Sequence, residues 1–158
     1  MGDQRAYNNG KNDFYAYTYT TVSERIIING VSGKMVEKKI PFKTKHQDLP
    51  AYGGSSDMYF AKGADGMATQ AKLYGPDKKM RLDFDWNHDH KNKYDGQIFH
   101  KGTVHVQEYR ITQVKDAKTG RWVDKFIRAS ASARLMTNAE IIKYGAILRH
   151  FNPYIKFR

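Results

Sequence analysis

Cysteine is absent from the 158 residues, which removes disulfides, thiolate metal sites and thiol nucleophiles together and leaves imidazole and carboxylate as the side chains that would hold a metal. Long apolar runs are missing as well. No stretch approaches the roughly 20 residues that a membrane-crossing helix needs, and the opening MGDQRAYNNGKND has no apolar signal-peptide core. The chain as given therefore reads as soluble, with residues 1–13 expected to form a flexible lead-in. No Gly-rich phosphate loop of the Walker or dinucleotide type is present, nor is any solenoid-period repeat or low-complexity segment. Acids are scarce: 16 Asp and Glu face 27 Lys and Arg, a formal net charge of +11.

That charge is unevenly placed. From Arg110 to Arg158 eleven Lys and Arg meet three acids, so the last third holds +8 of the total. Such a surface concentrates polyanions, and nucleic acid is the expected partner, although a basic face can also serve solubility alone. An anionic membrane fits less well, because the cations do not lie along one amphipathic helix. The length suits one domain with a core of its own.

Alternation of apolar and polar residues dominates the chain and predicts strands. Residues 14–22 (FYAYTYTTV) form the first, with Tyr15, Tyr17 and Tyr19 on one face, suited to a half-buried sheet or to stacking on bases. Residues 26–31 and 35–42 flank NGVSG as a hairpin closed by Pro41. Residues 46–56 are loop chemistry. Residues 57–62, 67–74 and 79–86 follow as an antiparallel meander with GADG and GPDK turns. After Asn87 the chain is too polar for core until a strand over 103–111, and the DAKTG turn leads to a last hairpin strand over 122–130. Thr137 with Glu140 three residues on is a capping box for a helix ending near His150, before Asn152-Pro153. The fold class expected is α+β, mainly antiparallel sheet with one C-terminal helix.

Ionisable residues crowd between Arg81 and His105. Alternation places Arg81, Asp83 and Asp85 on one face of a strand, His88, Asp89 and His90 follow at its end, His100 sits in a loop and His105 lies inside the next strand. If the two strands pair, His105 approaches Asp83, Asp85 or His88. Three readings are open. A divalent metal would take Asp85, His88, His90 and His105. Cofactor-free phosphodiester cleavage would use His88 and His105 as acid and base, Asp85 to orient a histidine and Arg81 or Lys101 to hold the phosphate, with His90 and His100 in reserve. The third reading is a hydrophilic loop whose histidines and aspartates bond locally or to water.

The run Tyr74, Gly75, Asp77, Arg81, Asp83, Asp85 and His88, followed by His100, Val104 and His105, resembles C-terminal toxin domains of bacterial polymorphic toxin systems, including those of RHS and LXG proteins. The resemblance covers about residues 54–108, and it departs from that pattern in having His105-Val106-Gln107 where the pattern has a tighter HxH. It implies a secreted or delivered nuclease module, acting in a target cell's cytoplasm and neutralised by an acidic immunity protein. A more distant similarity is to HNH-type nucleases, in which Asp85 to His90 would supply the first element. The function expected is therefore a toxin nuclease that uses histidine acid/base chemistry without a cofactor, with RNA the favoured substrate, gripped by cations that include Lys101, Arg110, Arg121 and Arg128. Its rivals are a non-enzymatic nucleic-acid-binding or virion-type structural protein, a metal-dependent HNH-like nuclease, and an enzyme acting on another anion such as a nucleotide.

Overall fold

The computed structural model describes residues 18–39, 49–54 and 56–158. Strand β1 (Thr18–Thr21) and strand β2 (Ile26–Ile28) lie end to end along one edge of β3 (Val31–Lys39), both antiparallel to it. The β2–β3 reversal is tighter than the NGVSG segment suggests. Asn29 (φ 53°) and Gly30 (φ 76°) make the whole turn, as in a two-residue hairpin whose backbone twist matches that of its strands. Strand β3 thus begins at Val31 rather than Met35, and Gly33 is a strand residue. Tyr15, Tyr17, Pro41 and residues 1–13 lie outside the described residues.

Strand β4 (Met58–Lys62) pairs parallel with β3. From there β5 (Ala68–Tyr74) and β6 (Met80–Asp85) continue antiparallel, as their alternation predicts. The polar stretch after Asn87 then departs from expectation. It contains a small hairpin, β7 (His90–Lys91) with β8 (Ile98–Phe99), and it buries Asn92 and Phe99 almost completely. Strand β9 (His105–Lys115) pairs with β6 at its start and with β10 (Trp122–Arg128) further on, while β11 (Arg134–Leu135) pairs with its first two residues. The main sheet runs β1-β3-β4-β5-β6-β9-β10, with β2 on β3 and β11 on β9. Among the described residues, sheet and single helix make the architecture α+β, mainly antiparallel.

Helix α1 (Asn138–Phe151) buries Ile147, Leu148 and Phe151 against Phe60, Phe84, Val104 and Val106. Phe60 and Phe151 rings sit 4.2 Å apart. The close approach depends on Gly33: a Cβ there would stand 2.8 Å from Phe60 Cε1 and 2.9 Å from Ile147 Cδ1. The capping box forms as the sequence predicts. Thr137 Oγ1 accepts the Glu140 amide at 3.2 Å, and Glu140 Oε1 accepts the Thr137 amide at 2.8 Å. Arg134 ties this helix start to β9, donating to both Glu140 carboxylate oxygens (2.7 and 3.0 Å) and to Glu108 Oε1.

The opposite face of the sheet is covered by residues 49–54. Tyr74 donates its hydroxyl to the Pro50 carbonyl at 2.6 Å, and Ala51, Tyr74 and Met80 pack together with Tyr52, Tyr109 and Phe126. Buried Lys72 meets Asp83 at 3.4 Å on this side and donates to the Leu49 carbonyl at 3.1 Å. That partner is what a buried ammonium requires, since an unpaired charge away from water is costly.

Candidate functional site

Strand pairing assembles the site. Asp85 lies directly opposite His105 in the β6–β9 ladder, and since Val104 and Val106 pack on the helix side, alternation turns His105 to the other face. His88 follows the end of β6 and His90 opens the β7–β8 hairpin, which folds back over the same place. Ring centroids are 5.6 Å apart for His88 and His105, and 5.1 Å for His90 and His105, the latter stacked at 17°. Phe99 stacks on His105 as well, at 5.4 Å. One ring nitrogen from each of His88, His90 and His105 can be chosen so that all three lie within 4.8 Å of one another. The group grades from exposed His88 through half-buried His90 to buried His105.

Each imidazole has an oxygen near one of its ring nitrogens. The strongest case is His90, whose Nε2 lies 3.0 Å from Asn92 Oδ1. Asn92 cannot turn its amide around: Oδ1 accepts the Ala133 amide at 3.1 Å and Nδ2 donates to the Ala133 carbonyl at 3.0 Å. With that oxygen fixed as an acceptor, His90 Nε2 carries a proton, which in the neutral ring leaves the lone pair on Nδ1. His105 Nδ1 lies 3.4 Å from the Thr103 carbonyl. His88 Nδ1 lies 3.6 Å from Asp85 Oδ1, an ion-pair separation rather than a hydrogen bond. Burial pushes the His105 imidazole below its ordinary 6.5, with His90 and His88 adding to the shift, while Asp85 and the Thr103 carbonyl oppose it. A neutral ring is the form that binds a metal or accepts a proton.

The other residues singled out by sequence are placed elsewhere. Arg81 does not share the face of Asp83 and Asp85. The β5–β6 register steps from Leu73–Leu82 to Tyr74–Met80, leaving Arg81 as the extra residue of a bulge. Its guanidinium turns back to Asp77 Oδ2 at 2.6 Å and to the Lys79 and Met80 carbonyls. Asp83 is on the histidines' face but is taken up by Lys72 and by Tyr109. Burial first, then the charge and hydrogen bond of Asp83, raise the Tyr109 hydroxyl so that it stays protonated. Asp89 Oδ1 accepts the Lys101 amide at 2.7 Å, closing the loop behind the histidines. His100 and Lys101 are exposed on that loop, and His100 is not one of the three converging imidazoles. Arg110, Arg121 and Arg128 are exposed along β9, β10 and the turn between them.

Asn92 and Phe99 were not anticipated from sequence. The signal for Phe99 was the apolar pair Ile98-Phe99 in a polar stretch. For Asn92 it was the Asp95-Gly96 turn, where Gly96 (φ 71°) donates its amide to the Asn92 carbonyl at 3.0 Å. Among the described residues no helix is long and apolar enough to cross a membrane. No protein-family model, curated protein or solved structure matches the chain.

Proposed function

We propose that this protein is a nucleic-acid-directed phosphodiesterase whose centre is a divalent metal held by His88, His90 and His105. The observation that carries the reading is the convergence of three ring nitrogens within 4.8 Å, with an oxygen near one nitrogen of each ring. Backing acceptors fix the tautomer and aim the lone pair of metal-bound histidines. Two imidazole nitrogens on a tetrahedral zinc are about 3.4 Å apart, so binding would close separations of up to 4.8 Å by at most roughly 1.4 Å. His88 supplies that freedom, its side chain being 55% exposed.

A three-imidazole site leaves a coordination position open for water or substrate. The metal would supply Lewis acidity to a phosphoryl oxygen and acidify a bound water. Hydrolysis then adds water across one P–O bond, yielding a phosphomonoester and a free hydroxyl. In this scheme Asn92 holds His90 in its ligating tautomer, and Asp85 favours a protonated Nδ1 on His88, freeing Nε2. Phe99 shields His105 from water. The polyanionic substrate is supported by the +11 charge. The biological setting we propose, a delivered toxin domain countered by an acidic immunity protein, rests on the resemblance over residues 54–108. That span contains β4 to β8, the first four residues of β9 and all three histidines.

The test is incubation of the purified chain with labelled RNA and labelled DNA, with EDTA and after restoration of zinc, alongside a count of bound metal. Turnover lost in EDTA and regained with zinc is the expected result. Turnover that persists in EDTA removes the metal and leaves His88 and His105 as acid and base without a cofactor. No turnover under any condition overturns the enzymatic reading.

A further inference from the structure

The β6–β9 pairing ends at Leu82–Glu108, and from Tyr109 to Lys115 strand β9 continues with β10 alone. These paired positions and the turn between them form a two-stranded arm. Its six cations, Arg110, Lys115, Lys118, Arg121, Lys125 and Arg128, are all exposed. Its two acids are occupied. Asp116 Oδ1 accepts the Lys118 and Thr119 amides within the turn, and Asp124 accepts the Tyr52 hydroxyl at 2.7 Å while pairing with Lys79 at 2.9 Å. Six cations against two acids leave the arm with a net charge of +4. Trp122 adds a large apolar surface, 66% exposed and belonging to none of the core clusters.

We propose that this arm binds single-stranded nucleic acid, its cations following the phosphates and Trp122 stacking on an unpaired base. Exposed cations beside an aromatic platform are the two parts that such binding uses. A base offers its flat face to an indole only where it is not stacked in a duplex, which is why the indole favours a single strand. Trp122 stands opposite Lys115, an even number of positions from His105. Alternation places the two on one face, turned relative to each other by strand twist. At about 3.4 Å per residue the separation along β9 is roughly 34 Å, or about ten stacked nucleotides at the 3.4 Å rise of one strand. The proposal takes nucleic acid as the ligand class from the function proposed above, and requires no turnover.

The test is fluorescence anisotropy of the full chain with a labelled 12-nucleotide single-stranded RNA in EDTA, repeated with the DNA strand, a blunt duplex of equal length and polyglutamate. Trp122→Ala is expected to weaken strand binding on the order of tenfold, with Trp122→Phe retaining most of the affinity. Combined Lys118→Gln and Arg121→Gln should flatten the dependence of log affinity on log salt by about 1.4, at roughly 0.7 per phosphate contact. Both changes lie on exposed positions, and an unchanged melting temperature shows that the fold is intact. Unchanged affinity in Trp122→Ala, or a duplex or polyglutamate bound as tightly as the strand, overturns the proposal; polyglutamate binding points instead to an acidic protein partner. Strand binding through the arm with no cleavage after zinc is restored overturns the phosphodiesterase and leaves the arm standing. Cleavage that ignores all three arm residues does the reverse.

Discussion

Asp85 and His105 face each other across the β6–β9 ladder, twenty residues apart in sequence and adjacent in space. Their pairing brings the last residue of β6 and the first of β9 to a single place, where the β7–β8 hairpin adds His90 and the segment after β6 adds His88. Everything proposed for the centre depends on that register, because a slip of one residue would turn His105 into the helix-side core.

Metal affinity should divide the histidines from their neighbours. The wild-type chain is expected to take up one equivalent of zinc, and His90→Ala and His105→Ala should each weaken binding by more than about 100-fold, beyond the usual 10–100-fold effect of a supporting residue. His100→Ala, on the exposed loop outside the triad, should leave it unchanged. Titration against a competing chelator measures this, and equal affinity across all four proteins would remove the metal centre.

Asn92 should show separable structural and positioning roles. Asn92→Ala leaves the Ala133 amide and carbonyl unpaired in a buried place, costing about 1–3 kcal/mol per unsatisfied group, and also frees the His90 ring. Asn92→Asp keeps an acceptor for both His90 and the Ala133 amide but loses the donor to the Ala133 carbonyl. It should therefore lose stability while keeping zinc affinity within a few-fold of wild type. Chemical denaturation and zinc titration of the pair decide the matter; zinc affinity unchanged in Asn92→Ala would deny Asn92 any positioning role.

Gly33→Ala should destabilise the chain by roughly 1–3 kcal/mol through overpacking, since the new Cβ would meet the fully buried Phe60 ring and the Ile147 side chain at under 3 Å. Denaturant midpoints at constant m-value read the effect. A change within about 0.5 kcal/mol, the size of an ordinary surface substitution, would mean that helix and sheet separate freely at this contact.

Acid should release the helix cap. Burial alone raises the Glu140 carboxyl, but the Arg134 guanidinium and the Thr137 amide outweigh it and hold the group below its ordinary 4.5. A carboxyl depressed in the folded state contributes stability that is present above its unfolded value and is lost as pH falls through the folded one. Glu140→Gln should thus cost about 1 kcal/mol at neutral pH, and the gap to wild type should narrow as pH drops below about 4.5. Thermal unfolding between pH 7 and pH 3 provides the check, and a gap independent of pH would show that charge plays no part.

Local chemistry made several features legible in the sequence. Asn29-Gly30 specified a hairpin because both residues tolerate positive φ, alternation marked β5 and β6 because side chains change face at every residue, and Thr137 with Glu140 marked the helix start because four amides there need acceptors. The crowding of Asp85, His88, His90 and His105 was visible for the same reason, being a property of neighbouring positions and of one later strand. Tertiary structure alone decided the rest. Arg81 left the group because a bulge against β5 interrupts the two-residue period, which a single strand's sequence does not reveal. Asn92 and Phe99 became buried supports because the β7–β8 hairpin folds over β9, and β3 met β4 in parallel through a connection whose ends are set by long-range pairing. Residue spacing determined which groups were available for chemistry, and strand register determined which of them meet.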